Sequence, residues 1–182
     1  MKISKELDAG DMLLQREIEI DDEDDSGILF DKIAKIGAEA LCDGIRLIEN
    51  DEDVWFPQDN SLATFTQKLT KENAKLDFSL KTEEIVNKIR AYYPSPMAFF
   101  VYEGKSFKVC KARSVSEEFL KNHIKLKKWN VGEIVVSSNK NGLIVKTGDG
   151  FIEILTFKPE NQGEMSVKAY LNGHKINEGE CL

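Results

Sequence analysis

The apolar residues of this chain change their spacing along the sequence, and each spacing predicts a different kind of element. From Leu29 to about Asn50 they recur every three or four positions, which predicts an amphipathic helix. Ser26 is the expected cap of this helix, and the acidic run 21–25 lies where a helix N-terminus favours negative charge. Before it, Met12–Ile20 alternates in part between apolar and polar residues and predicts one strand with a polar face.

A second helix is predicted further along, after a stretch without any sustained period. Residues 51–75 contain Pro57 and scattered polar residues, a pattern typical of a linker. Thr82 is expected to cap a helix from Glu83 to about Tyr92, which is ended by the prolines at positions 94 and 96.

Beyond this helix the pattern changes to short strand-like segments between turn signals. Five such segments are too many and too short for an α/β sheet, and they predict a small closed barrel of the OB-like kind, an architecture that binds nucleic acids. A short helix from Ser166 to Leu171, capped by Ser166, is expected to cover one end. The predicted strands are Met97–Tyr102, Lys105–Ser114, Gly132–Ser137, Leu143–Thr147 and Phe151–Phe157.

Composition argues against several classes of protein. Hydrophobic residues make up 41% of the chain and charged residues 31%, as in ordinary globular proteins. No run of 18 apolar residues suggests a membrane span, and the first residues lack the apolar core of a secretory signal. The three cysteines, Cys42, Cys110 and Cys181, are widely spaced. They predict reduced thiols in a cytoplasmic protein and, with only two histidines, no metal site.

The net charge of −7 is divided unevenly along the chain. Residues 1–72 carry 8 lysines and arginines against 19 aspartates and glutamates, whereas residues 73–182 carry 17 against 13. The C-terminal part is therefore mildly basic within an acidic protein. Such asymmetry indicates that any nucleic acid is bound by this second part.

The segment Lys5–Met12 is the candidate for chemistry. Its sequence, Lys-Glu-Leu-Asp-Ala-Gly-Asp-Met, places Asp8 and Asp11 on either side of a glycine at the start of the predicted strand. The glycine lets the backbone approach a neighbouring element without a Cβ in the way. Two interpretations remain open: an Asx-type turn that caps a hairpin, or a loop that directs Asp8 into a cleft.

The Leu-Asp-x-Gly-Asp-Met part of this segment resembles a signature near the end of the catalytic domain of 10-formyltetrahydrofolate-dependent formyltransferases. Similarity to the methionyl-tRNA formyltransferase family then continues in order along the chain, which makes it more specific than any single motif. The matching segments are Pro57–Asp59, Ala63–Phe65, Lys68–Glu72, Leu76–Ser79, Ile89–Met97, Gly148–Gly150 and Tyr170–His174.

This resemblance implies an α+β fold in three parts. Residues 1–50 would be a remnant of the formyltransferase α/β domain, made of the predicted strand and amphipathic helix. Residues 51–75 would be a linker, and residues 76–182 an OB-like, five-stranded tRNA-binding barrel with short helices. The family's formyl-donor site needs an asparagine, a histidine and a Ser-Leu-Leu-Pro stretch upstream of the Asp8 segment. We therefore expect a truncated, C-terminal portion of such an enzyme, inactive by itself.

By the same resemblance, Asp8 is the catalytic residue. In the family the matching carboxylate works with the upstream asparagine and histidine. Together they handle a proton as the amino group of initiator methionyl-tRNA attacks the formyl carbon of 10-formyltetrahydrofolate. This chain alone is not expected to bind that donor tightly, and no metal is implied. The helix face of Leu29, Ile33 and Ile36 would then be exposed, or would pair with the missing N-terminal part or another copy of the chain.

The resemblance also implies contacts between basic residues and tRNA. The expected tRNA-binding residues are Lys68, Lys71, Lys105, Lys111 and Arg113. On the predicted strand, Lys105, Lys111 and Arg113 point to one face and Lys108 points to the other. A bulge could bring all four to the same face. A second basic cluster consists of Lys121, Lys125, Lys127 and Lys128 beside Trp129. The alternatives are a stand-alone RNA-binding OB-like module and a fragment of a sugar-nucleotide formyltransferase.

Overall fold

The computed structural model describes residues 1–116, 119 and 128–182. The chain forms two compact units, an N-terminal unit, Met1–Lys68, and a C-terminal unit, Leu69–Leu182. The predicted boundaries of a remnant, a linker and a barrel at residues 50 and 75 stay predictions.

The N-terminal unit is built around one long helix, α1, which spans Ser26–Glu49 as the apolar spacing predicts. The prediction that Ser26 caps it is wrong, because Ser26 is already helical. Asp25 is the cap: its backbone is extended, and its Oδ1 accepts a hydrogen bond of 2.9 Å from the backbone N–H of Ile28. This side-chain oxygen satisfies one of the free N–H groups of the first turn.

The predicted strand Met12–Ile20 is not a strand in the structure. Met12 alone exchanges two backbone hydrogen bonds of 2.8 Å with Phe56, and residues 14–20 have no strand partner within the described part of the chain. The segment runs beside α1, where Arg16 Nη2 lies 3.0 Å from Asp43 Oδ2. Its partial alternation is real, but a strand also needs a second strand to pair with.

Helix α1 has no buried residue within the described part of the chain. The Phe30 side chain is 75% exposed and that of Leu41 65%, although both are large and apolar. Among the described residues, every buried hydrophobic side chain belongs to the C-terminal unit, from Ala74 onward. The apolar face of α1 is therefore only partly covered in this unit.

The C-terminal unit is a curled antiparallel sheet in which five strands follow the order β1-β2-β5-β4-β3, and a short β6 pairs with β5. Its strands are β1 Phe99–Tyr102, β2 Lys105–Ser114, β3 Ile134–Ser138, β4 Gly142–Lys146, β5 Phe151–Pro159 and β6 Met165–Ser166. The five predicted strands are confirmed, with ends shifted by up to two residues. Within the described residues the path is open, since β1 and β3 do not pair with each other. The predicted closed barrel is therefore wrong in that respect: the five strands form a curled half-barrel.

Two helices, α2 Thr82–Tyr92 and α3 Val167–Leu171, contribute to the core of this unit. The ring of Phe107 stacks on Phe100 at 5.2 Å and meets Phe157 edge-on at 5.3 Å. Tyr170 of α3 completes the aromatic cluster, 5.2 Å from Phe157. Ser166 caps α3, as predicted, by accepting a hydrogen bond from the backbone N–H of Ala169.

The N-terminus of α2 is capped from across the unit. Asp149 Oδ1 accepts hydrogen bonds from the backbone N–H of Thr82 at 2.8 Å and from its hydroxyl at 2.9 Å. The Thr82 hydroxyl also lies 2.7 Å from that of Thr147. The prediction that Thr82 caps this helix is therefore wrong: Thr82 is its first residue, and a carboxylate from the β4–β5 turn supplies the acceptor.

We expect this cap to make stability depend on acidity. The hydrogen bonds from Thr82, the backbone N–H first, hold the pKa of Asp149 below its ordinary value of 3.8. A lowered folded-state pKa stabilises the fold above the unfolded-state pKa, and that contribution is lost as pH falls through the folded-state value. Urea unfolding between pH 7 and pH 3 should therefore show the wild type losing its advantage over Asp149→Asn in acid. The exposed Glu160→Gln serves as control, and a constant difference between wild type and Asp149→Asn would contradict the prediction.

Candidate functional site

Asp8 lies in a tight loop at the start of the N-terminal unit. Its backbone has φ of +53°, a left-handed conformation that non-glycine residues adopt rarely and that aspartate tolerates better than most. Two residues later, a Cβ on Gly10 would stand 1.8 Å from the carbonyl oxygen of Lys2. Only glycine fits there, which explains the Asp-x-Gly order of the motif.

A side chain 50 positions further along the chain holds this loop. Gln58 Nε2 donates hydrogen bonds to the carbonyl oxygens of Asp8, at 2.8 Å, and of Gly10, at 2.7 Å. The paired backbones of Met12 and Phe56 bring the two segments together. Gln58 lies in the Pro-Gln-Asp motif, but its role could not be predicted, because nothing local in the sequence links it to Asp8.

The carboxylate of Asp8 is exposed and has no hydrogen-bond or ion-pair partner within residues 1–116, 119 and 128–182. An open cleft of about 360 Å³ lies beside it, lined by Met1–Ala9. Such a group can accept a proton or orient a donor. Of the two histidines, His174 stacks on Tyr170 at 4.2 Å in the C-terminal unit, and His123 lies outside the described residues.

A β-bulge in β2 decides which basic side chains share a face. Cys110 has no partner on β5, because the register passes from Val109–Phe157 directly to Lys111–Thr156. Before the bulge Phe107 and Val109 point into the core, and after it Ala112 does. The outward residues are therefore Lys108, Lys111 and Arg113. Lys105 has the same spacing as the core residues Phe107 and Val109, so it does not share a face with these three basic residues.

The charges on this outward face differ in how they are compensated. Arg113 is paired: its Nε and Nη2 lie 2.8 and 2.7 Å from Glu153 Oε2, a carboxylate that is largely buried. Lys108 stands directly opposite Lys158 of β5, and both are exposed. Two like charges at opposite positions are unfavourable, and an anion bound between them would relieve this repulsion. Sequence parity missed it, because only the strand register shows the pairing.

The other expected residues of the nucleic-acid surface are scattered. Lys68 is the last residue of the N-terminal unit, and Lys71 precedes a short 3₁₀ turn at Glu72–Ala74 in the C-terminal unit. Both are exposed. Lys121, Lys125 and Lys127 lie outside the described residues. Lys128 is exposed beside the half-buried Trp129.

Other kinds of chemistry find little support in the described residues. Burial, followed by the nearby Glu164 carboxylate, raises the pKa of the Cys110 thiol to about 12, so it remains protonated and unreactive at neutral pH. Among the residues that the structure describes, no three His, Cys, Asp or Glu side chains are arranged to hold a metal ion. No helix in the same part of the chain is long and apolar enough to cross a membrane.

Comparison with known proteins shows which family this chain matches. The formyl transferase C-terminal domain family matches residues 68–175. Methionyl-tRNA formyltransferase from Leptospira interrogans is 36% identical over 183 residues, covering 99% of this chain and 55% of the relative. The enzymes of the same name from Fusobacterium nucleatum and Streptococcus pyogenes are 36% and 33% identical, each over all of this chain and 56% of their own length. The chain thus spans about half the length of these curated relatives.

Solved structures show a similar fold. HypX from Aquifex aeolicus, in a variant with six alanine substitutions, matches with a TM-score of 0.64 and 19% identity over 96% of this chain and 30% of that one. Its complex with tetrahydrofolic acid matches with a TM-score of 0.63, 18% identity, 97% of this chain and 32% of that one. At this identity the likeness concerns the fold alone. The family match over residues 68–175 and the relatives aligned along the whole chain show that this protein belongs to the formyl transferase C-terminal domain family.

Proposed function

We propose that the chain is part of a methionyl-tRNA formyltransferase, which transfers a formyl group from 10-formyltetrahydrofolate to the amino group of initiator methionyl-tRNA in translation initiation. The observation that carries this proposal is the similarity to enzymes of that name along the whole chain, from the Asp8 loop to the C-terminus. The proposed location is the cytoplasm. The proposed division is a catalytic-domain remnant over residues 1–50, a linker over 51–75 and an OB-like barrel over 76–182.

Asp8 is the proposed catalytic residue. An amine that attacks a formyl carbon must lose a proton, and the tetrahedral oxyanion that forms must be stabilised. The free carboxylate of Asp8 suits the first task. It cannot perform the second, because a carboxylate offers no hydrogen-bond donor and repels negative charge. Residues 1–182 alone are therefore proposed to have negligible turnover and no tight binding of the folate donor.

The apolar face of α1 is the proposed contact with further protein. Leu29 and Ile36 are only half-buried and Ile33 is 55% exposed, which leaves apolar surface of the kind that marks an interaction site. The relatives carry nearly as many additional residues as they share with this chain. Those additional residues are the proposed occupant of the face, and a second copy of this chain is the alternative.

The outward face of β2 and β5 is proposed to bind the phosphates of tRNA. Lys111 and Arg113 are contacts expected from the sequence, and the strand register adds Lys108 and Lys158. Lys68, Lys71 and Lys105 are proposed as further contacts outside this face. Lysine contacts with phosphates position an RNA without reading its sequence. Binding by this part of the chain should therefore be salt-sensitive and largely indifferent to sequence.

The double variant Lys108→Ala/Lys111→Ala tests the proposed RNA surface. Each lost phosphate contact should reduce the slope of log affinity against log salt by about 0.7–0.9, so two should reduce it by roughly 1.4–1.8. Affinity for initiator tRNA is measured over a salt series by filter binding or fluorescence anisotropy. The charge-matched control is Lys140→Ala/Lys168→Ala, on two other exposed lysines. An unchanged slope would remove these residues from the RNA surface, and a wild-type chain without affinity for tRNA at low salt would contradict the proposal as a whole.

A further inference from the structure

We infer that Gln58 is a positioning residue for Asp8: it fixes the backbone of the loop so that the free carboxylate keeps one direction. The inference rests on the proposed function, because it gives Asp8 a catalytic task. It adds a residue that acts on the reaction without touching the reacting groups. Three features of the loop carry it, namely the two hydrogen bonds of the Gln58 amide, the left-handed backbone of Asp8 and the anchoring of the Gln58 segment.

The orientation of the Gln58 amide follows from its partners. It faces two backbone carbonyl oxygens, at 2.8 and 2.7 Å, and the Met1 sulfur at 3.9 Å, and a carbonyl oxygen only accepts hydrogen bonds. The amide nitrogen, with its two N–H donors, must therefore face the loop. A flipped amide would set its own oxygen against two others at contact distance. Gln58 thus uses both donors on the two carbonyls that flank Ala9.

The loop needs such support at Asp8. The left-handed backbone at φ +53° is less favourable for any residue with a Cβ than the ordinary conformations. The hydrogen bond to the Asp8 carbonyl makes this conformation the preferred one. The bond fixes the carbonyl side of the Asp8 Cα, so the carboxylate moves mainly about its own side-chain torsions. Its directions are then fewer than in a loop whose backbone also moves.

Gln58 is itself held at both ends. Before it, Phe56 pairs with Met12 through two backbone hydrogen bonds of 2.8 Å. After it, Asp59 accepts a 2.9 Å hydrogen bond from the backbone N–H of Ser61 and caps the short 3₁₀ helix Asn60–Leu62. Among the described residues, the hydrogen bonds of the Gln58 side chain go to the Asp8 and Gly10 carbonyls and the Met1 sulfur, not to the Asp8 carboxylate. It therefore acts through the backbone of the loop, as a positioning residue does.

The test uses a fusion in which the residues that precede the matched region in the Leptospira interrogans relative are joined ahead of Met1, assayed for formylation of methionyl-tRNA. Gln58→Ala should lower kcat by about 10- to 100-fold with little change in KM for the tRNA, since displacement of a reacting group by about 1 Å costs on the order of 100-fold. Gln67→Ala is the control, because it removes the same kind of side chain at an exposed position of the N-terminal unit. It should keep kcat within twofold.

Gln58→Glu tests the inference through the pH dependence of activity, which would not change if Gln58 had only a structural role. An ionised glutamate would face two carbonyl oxygens and open the loop at neutral pH. Its protonated form has one O–H donor and restores one of the two hydrogen bonds. The activity of this variant relative to the wild type should therefore rise as pH falls. The relative activity of Gln58→Ala should not change with pH.

The outcomes separate the inference from the function on which it rests. If Asp8→Asn abolishes turnover but Gln58→Ala keeps full kcat, the inference is wrong and the function stands. If Asp8→Asn stays fully active, or the folded native fusion has no activity, the proposed function fails, and the inference with it. NMR spectra of the 182-residue chain test the geometry independently. Gln58→Ala should shift the amide resonances of Ala9 and Asp11, which follow the bonded carbonyls, and unchanged resonances would overturn the inference.

Discussion

Phe157→Ala is expected to lower the free energy of unfolding of the C-terminal unit by about 3–5 kcal/mol. The Phe157 ring is fully buried and contacts Phe107 and Tyr170 edge-on, with centroids 5.3 and 5.2 Å away. Truncation removes these contacts and leaves a cavity between the sheet and α3, which neighbouring side chains cannot fill without leaving their rotamers. Because domains are stable by only about 5–15 kcal/mol, this loss is a large share of the stability of the unit.

Urea unfolding followed by circular dichroism measures this change. Phe65→Ala is the matched control, since it deletes the same ring at a position that is 86% exposed. Its free energy of unfolding should stay within about 0.5 kcal/mol of the wild type. Equal unfolding midpoints for Phe157→Ala and Phe65→Ala would contradict the described core.

Gly148→Ala is expected to lower the free energy of unfolding by roughly 2–3 kcal/mol, at the upper end of the usual cost of overpacking. A Cβ at this position would stand 2.2 Å from the carbonyl oxygen of Ser79 and 2.9 Å from that of Leu80. Both are backbone atoms, so neither can move aside alone. The turn must shift as a whole, which pulls Asp149 away from Thr82 and uncaps α2.

Gly163→Ala is the matched control for this substitution. A Cβ there meets nothing within 4 Å, and alanine restricts the unfolded chain, so the variant should be unchanged or more stable by up to about 1 kcal/mol. Thermal unfolding of the two variants gives the comparison. A Gly148→Ala protein as stable as Gly163→Ala would mean that the β4–β5 turn does not press against the start of α2.

The strands of the C-terminal unit could be predicted from sequence because their signals are local. Alternation and turn residues such as Glu103-Gly104 depend on neighbouring positions only, and β2 begins and ends where the pattern indicates. The caps were harder to predict. Ser26 and Thr82 have the right chemistry at the right place, but Asp25 and a distant Asp149 make the hydrogen bonds. Local preference cannot weigh a competing acceptor that tertiary structure supplies.

The candidate sites depended on long-range structure in the same way. The β2–β5 pairing has two register shifts, and the one that leaves Cys110 unpaired reverses which side the later residues of β2 face, so Lys108 rather than Lys105 joins Lys111. The link between Gln58 and Asp8 crosses 50 positions. The predicted strand at Met12–Ile20 is wrong for a related reason. Its apolar and polar residues do alternate in part, but a strand also needs a pairing partner, which sequence periodicity does not show.

The hydrogen bonds between Asp149 and Thr82 also bear on the order in which the protein folds during synthesis. The two residues are 67 positions apart, so α2 leaves the ribosome long before its cap has been made. The first turn of an 11-residue helix is marginal in water without such support. Until the β4–β5 turn has emerged, the start of the helix has the local hydrogen bond from the Lys81 N–H to Glu84 Oε2 and lacks the two to Asp149. We therefore expect α2 to gain its full stability late in translation, together with the sheet.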